Sequence, residues 1–482
     1  MRQRRIRRIA TSLIGVAAAT GLAVMSGTAM ASPMAGLPVA GPPTAAHGES
    51  QTVVPGGRGA IDLRPAVTGH IDAANLDAPI PTSQCLEMFG IHCYSPLQFR
   101  TAYQLDPLYN RGITGAGRTI VLVDSFGSPT IRNDVNAFDT QWGLPHVNLR
   151  IVQAGSIPPF DPNDGQMVTW AEETSLDVEY AHAIAPGAKI VLVETPVAEI
   201  EGTSGLPEMM NAEKHLIDQG VGDVISQSFG ATENTFPGVD VGDFRSLTSL
   251  RFAFQDAQRH HVTVLAATGD EGATNFMGDA STLFPFPVTA WPSTDPLVTA
   301  VGGTQLTLND AGQRTQADVV WNDGFGATGG GTSAVFGRPV FQTGVRSIVG
   351  NHRGVPDISV TGALDGGGYV YMSFLDPTSP WNLLGGTSLS TPVFAGIVAL
   401  ADQVAHQRLG NINDALYLLG DQSRRWHNRF PNGLVDVTSG DNSFGGVTGF
   451  PARAGFDLST GWGTIDATTF VPALAIAGSV RR

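Results

Sequence analysis

This 482-residue chain predicts an α/β fold: a mostly parallel sheet with helices on both faces and many loops. Apolar runs of strand length recur: TIVLVDSF (119–126), KIVLVET (189–195), DVISQSF (223–229), VTVLAATGD (262–270) and LVTAVGGT (297–304). They are rich in Val and Ile and lack clean alternation, the pattern of strands covered on both faces. Segments of helical character, WAEETSLDVEYAHAI and LPEMMNAEKHLIDQG, separate several of them. Strand–helix–strand repetition builds a parallel sheet whose chemistry gathers at the carboxyl ends of the strands. Composition adds the rest: 42% hydrophobic residues make a globular chain, and 59 Gly with 31 Pro make it loop-rich.

Taken in order, the chain opens with a basic stretch, an apolar core and Ala29-Met30-Ala31, an A-x-A cleavage signal. Residues 1–31 are expected to be a secretory signal peptide, and the protein to be secreted. Residues 32–80 are rich in Pro, Gly and Ala and read as a linker or pro-segment. Order is expected to begin near Cys93, which gives an extension over 32–92, a main domain over 93–475 and a tail over 476–482. Beyond the leader, no stretch is read as a membrane span. Cys85 and Cys93 suit one small-loop disulfide in a secreted chain. The net charge of −15 argues against nucleic acid or an anionic membrane as partner. A monomer is expected.

The stretch LLGGTSLSTPVFAGIVALADQ (383–403) carries the chemistry. A Gly-Gly pair leads through Thr387 to Ser388, placing a hydroxyl where a loop becomes a helix. A serine nucleophile needs a base. Eleven histidines are available, but none opens a helix in a His-Gly-Thr-His stretch of the kind that serves subtilisin-like enzymes. Asp124 ends an apolar run, and His182 stands in the last turn of a helix, a site favoured by the helix dipole. A Ser388–His182–Asp124 triad is one alternative. Glu173 and Asp177 offer another, for residues four apart share a helix face. A buried pair of this kind repels, raises at least one pKa and shares a proton. By spacing alone a solvated acidic face is the simpler reading, since Glu172 and Glu179 lie nearby.

Several motifs occurring in order carry a family resemblance. GGTSLSTP resembles the serine motif of the sedolisins, the serine-carboxyl peptidases, usually Ser-Gly-Thr-Ser-x-x-x-Pro. ETSLDVEY resembles their Glu-x-x-x-Asp helix, and AATGDEGA (266–273) their Ser-Gly-Asp-x-Gly loop. Similarity extends through SQSFGATE (226–233), FPFPVTAWPSTDPLVTAVGGT (284–304), GGGTSAVFGRPVFQ (329–342) and RGVPDISVTG (353–362). The resemblance implies a subtilisin-like α/β peptidase that cleaves protein or peptide substrates through an acyl-enzyme, in acid. It implies Ser388 as nucleophile, Glu173 as general base, Asp177 as its orienting partner and Asp270 as the oxyanion-hole acid. An acid at Asp270 must be neutral to donate a hydrogen bond. A non-catalytic secreted binding protein on a decayed peptidase fold is the rival reading.

The resemblance also implies one structural calcium ion, held by carboxylates of Asp436 and Asp457 and carbonyls of Val437 and Gly455, in LVDVTSGDN (434–442) and ARAGFDLSTGWG (452–463). Arg453 stands where the family usually has a further Gly, and Gly385 where it usually has Ser. Residues 32–92 stand where the family carries a long folded prodomain. Gly329-Gly330-Gly331 is expected to offer an edge to an extended substrate, with Trp170 and Glu233 lining subsites.

Overall fold

The computed structural model describes residues 78–426 and 431–480. The leader, and the pro-segment up to residue 77, lie outside the described residues. Eight strands form the main sheet: β1 (Thr119–Ser125), β2 (Asn148–Gln153), β3 (Lys189–Thr195), β4 (Val224–Gln227), β5 (Thr263–Ala267), β6 (Thr299–Gln305), β7 (Val319–Val320) and β8 (Ile358–Thr361). Their order is β7-β6-β5-β4-β1-β3-β2, with β8 also beside β6. Every pairing is parallel except that of β7 with β6.

Six helices matter to the site and its surroundings: α1 (Thr82–Phe89), α2 (Ile131–Trp142), α3 (Gly165–Ile184), α4 (Leu206–Asp218), α5 (Thr387–Ala405) and α6 (Ala467–Ser479). Side chains of β1 explain the unbroken apolar runs. Ile120 and Leu122 enter one core with Leu176 of α3, Val393 of α5 and Phe470 of α6. Val121 and Val123 enter a second core on the other face with Trp170 and with Met209 of α4. An interior strand that feeds two cores has no polar side to show. β2 is different: it is an edge strand with exposed Asn148, Arg150 and Gln153, and its polar residues hide it from an apolar-run search.

Two expectations are corrected. Folded structure begins before Cys93, because α1 is tied to the domain by a Cys85–Cys93 disulfide with Cα atoms 6.0 Å apart, and Cys85 packs with Phe138 and Trp381. At the other end, α6 carries through Ile476 to Ser479, so most of the expected tail is helix. By length and composition alone α5 could cross a membrane, but Thr387 through Asp402 are all buried and the helix packs on α3 and α6 as a core helix.

Candidate active site

α3 starts at Asp164, whose carboxylate accepts the N–H groups of Gln166 (3.0 Å) and Met167 (3.4 Å), an N-cap that fixes the helix phase. Two turns on, Glu173 and Asp177 share a face packed toward α5 and β1. Both are fully buried, so the solvated acidic face is excluded.

Ser388 lies in the first turn of α5. Gly386 precedes that turn at φ +104°, a backbone that side chains rarely adopt, and its N–H binds the Gly362 carbonyl at 2.6 Å. Gly385 departs from the family's usual Ser for a local reason: a Cβ there would sit 2.9 Å from the Gly362 carbonyl and the Leu364 backbone. Pro392 has no N–H to give the Ser388 carbonyl; Ser228 Oγ, just past β4, approaches that carbonyl at 3.4 Å instead. The same hydroxyl donates to Asp177 Oδ1 at 2.7 Å.

Asp270, three residues past β5, is fully buried. Its Oδ1 accepts the Thr387 N–H (2.8 Å) and the Thr387 hydroxyl (2.9 Å), which joins the acid to the start of α5. Its Oδ2 has no partner, and neither do Ser388 Oγ, both Glu173 oxygens or Asp177 Oδ2. Leaving a buried polar atom unpaired costs about 1–3 kcal/mol each. A gathering of such atoms at the carboxyl ends of parallel strands marks a site kept for chemistry.

Burial raises Glu173 well above the ordinary carboxylate range; Asp177 and then Asp124 add to the rise, against the pull of the Ser388 hydroxyl. Glu173 therefore faces Ser388 closely enough to feel its dipole, although the pair does not meet hydrogen-bond geometry. Asp177 is likewise raised by burial, then by Asp124, with the Ser228 hydroxyl opposing. Burial, then Glu271, raise Asp270, while Thr387 works the other way. Such neighbours cannot all ionise together, so protons are held among them.

Asp124 is the fourth carboxylate of this cluster. Burial lifts it to about 7, both its oxygens are unpaired, and its charge acts on Glu173 and Asp177. Its place at the carboxyl end of β1 was the signal for it. Ser228 and Thr387, within motifs quoted for their resemblance, had no assigned role. His182 lies half a helical turn around α3 from Glu173. It is buried with Nε2 2.7 Å from the Pro145 carbonyl and 3.1 Å from Asp139 Oδ1, so it binds the α2 side rather than Ser388.

Two subsite expectations change. A Cβ at Gly329 would meet the Thr268 carbonyl at 2.0 Å, and one at Gly330 the Leu458 carbonyl at the same distance. Gly331 pairs with Val355. The triple glycine therefore answers close backbone packing and is not a free edge. Trp170 is fully buried in the second core. Glu233 is buried too, accepting the Ser333 hydroxyl and the Ala334 N–H, both at 2.6 Å.

At the expected metal segments, Asp436 Oδ2 accepts the Gly455 N–H at 2.9 Å, and Asp457 Oδ2 the Arg453 N–H at 3.0 Å. Ser459 and Thr460 serve Asp457 Oδ1. Burial raises Asp436, and Asp457 repels it further. Among the described residues no group of three or more His, Cys, Asp or Glu could hold a metal. What is present for a hard cation is narrower: two mutually repelling carboxylates.

A buried serine opening a helix at the carboxyl side of a parallel sheet is the arrangement of subtilisin-like proteins, and the subtilase family profile matches residues 162–416, more than half of the chain. The carboxylates around that serine narrow the class: the chain belongs to the sedolisin family. It is 30% identical to kumamolisin of Bacillus sp. (strain MN-32) over 385 residues, 77% of this chain and 62% of that one. Sedolisin of Pseudomonas sp. (strain 101) is 30% identical over 384 residues, again 77% of this chain and 60% of the relative. The matched part thus spans about three-fifths of these relatives. A solved structure of Pseudomonas sedolisin, described as a serine-carboxyl proteinase complexed with two molecules of pseudo-iodotyrostatin, superposes with a TM-score of 0.66 at 27% identity. That match covers 80% of this chain and 99% of the other.

Proposed function

We propose that the protein is a secreted serine-carboxyl peptidase that hydrolyses peptide bonds in acid through an acyl-enzyme on Ser388. The observation that carries this reading is the convergence of the unpaired Ser388 hydroxyl, Glu173 carboxyl and Asp270 Oδ2 in one buried cluster. Ser388 Oγ attacks the scissile carbonyl and passes its proton to Glu173. Asp177, held by Ser228, shares protons with Glu173 and sets its orientation. Asp270 donates from Oδ2 to the developing oxyanion, with the Ser388 N–H at the start of α5 as second donor. Glu173 returns the proton to the leaving amine; it then takes one from the attacking water and passes it to Ser388 Oγ as the acyl ester opens, so that the acid product leaves and the serine hydroxyl is restored. Acid suits the mechanism because Asp270, raised by burial, must keep its proton to donate to the oxyanion. The decayed-fold reading predicts a broken cluster, and all four positions are filled.

The test is trapping. Mixed with a peptide ester at pH 4 and quenched, the protein is expected to carry one acyl group, mapped by mass spectrometry to Ser388. An unmodified Ser388 during measurable hydrolysis would count against the mechanism.

We further propose that Asp436, Asp457 and the carbonyls of Val437 and Gly455 hold one calcium ion. When bound, it supplies charge that neutralises the two carboxylates. A ligand that binds only the folded state stabilises it by RT ln(1 + [L]/Kd), about 2.7 kcal/mol at a hundredfold excess over Kd. EDTA is expected to lower Tm, and calcium in excess to restore it. A Tm indifferent to both would remove the ion.

A further inference from the structure

The buried acids do not stop at Asp270. Glu271 folds back so that Oε2 accepts the N–H of Asp270 at 3.1 Å. The loop after β3 brings Glu201 to bear on Glu271, with both Glu201 oxygens accepting from Thr232 and one from the Thr235 hydroxyl, all at 2.7 Å. Glu199 acts on Glu201 in turn. A row of carboxyls therefore leads to the oxyanion-side acid from a loop that contributes nothing to the serine or the dyad.

Asp270 faces opposing influences. From α5, the Thr387 N–H and hydroxyl both bind Oδ1, and the helix N-terminus adds its dipole; each favours the carboxylate. Burial favours the acid, and so do Glu271 at its side, Asp323 from the loop after β7 and Glu173 from α3. Among these carboxylates Glu271 has the largest effect, and its bond to the Asp270 N–H holds it in place. An accepted N–H favours the charged form of the Glu271 carboxyl.

We propose that Glu271 is a positioning residue that acts through Asp270, its fixed negative charge keeping a proton on Asp270 Oδ2 so that this oxygen remains a donor. The proposal rests on reading Asp270 as the oxyanion acid. It assigns Glu271 the task of extending activity to higher pH than burial of Asp270 alone allows.

Infrared difference titration tests it without turnover. The carboxyl C=O band that disappears in Asp270→Asn is followed against pH in the otherwise native chain and in Glu271→Gln, where an amide oxygen still accepts the Asp270 N–H. The midpoint is expected to fall by roughly one pH unit in Glu271→Gln, in the range set by a neighbouring like charge. The alkaline limb of kcat falls with it while KM is unchanged. Glu271→Asp, which keeps the charge, restores the midpoint, as a purely structural role would not. A midpoint unchanged in Glu271→Gln overturns the proposal. Should that variant not fold, Glu271→Ala is titrated instead, with the same two outcomes. Failure of the peptidase reading is seen separately, as hydrolysis that survives Ser388→Ala.

Discussion

Ser388→Ala is expected to abolish peptide hydrolysis, and Glu173→Gln to lower kcat by about 10³-fold or more, with circular dichroism and Tm little changed for the serine variant. The serine exchange removes the attacking atom, so only catalysis by binding and oxyanion donors is left. The Glu173 exchange removes the base but keeps the shape. General-base catalysis alone contributes about 10²–10⁴-fold, and the Asp177 and Asp124 carboxyls, left without their proton-sharing partner, cannot reach the serine by the same path. Glu173→Gln also takes one buried acid out of a cluster that repels itself, so its folded state is expected to gain stability toward neutral pH as activity is lost. That opposite movement of stability and rate distinguishes a catalytic carboxylate from a structural one. Full hydrolysis in either variant would end the assignment; a rate maximum above pH 8 in the native chain would return the search to a histidine base.

Legibility followed how local the information was. The interior strands β1, β3, β4, β5 and β6 appear in the sequence as apolar runs because each is covered twice. β2 does not, since an edge strand with one covered face carries Asn, Arg and Gln. β7 is two residues long, too short for any period to register. Ser388 was legible from its Gly-Gly approach, and Glu173 with Asp177 from a spacing that any helix turns into a shared face. What spacing withheld was burial: the same two acids suit a wet surface equally well until α5 covers them. Asp124 was visible at the end of its apolar run, though not its carboxylate neighbours; Ser228 joins the site through a contact across more than fifty residues of chain and Glu271 through the direction in which its side chain folds back, and neither leaves a pattern in sequence. The triple glycine at 329–331 shows the reverse error, a motif that suggested openness and serves tight packing.

The protein is expected to lose stability as pH rises from 4 to 8, and Glu213→Gln to recover part of that loss. The carboxyls of Glu213 and Glu199 are lifted by burial to about 8, those of Asp124 and Glu201 to about 7. In the unfolded chain the same groups titrate near 4. Below that value both states hold the protons and stability is full. Above it the unfolded chain releases protons that the folded one retains, so stability falls until the folded groups ionise in their turn. Each unit of difference corresponds to roughly 1.4 kcal/mol, and Glu173, Asp177, Glu179, Asp270 and Asp402 act in the same direction. Glu213 isolates the effect because it lies on α4, outside the Ser388 cluster. Its Oε1 accepts the Gln227 amide, while Oε2 and Gln227 Oε1 are buried without partners. The new amide keeps the shape, cannot ionise, and can donate to the Gln227 oxygen. Calorimetry should therefore find Glu213→Gln close to the native Tm at pH 4 and a few degrees above it at pH 8. An equal effect at both pH values would mean that packing, and not the proton, governs this site.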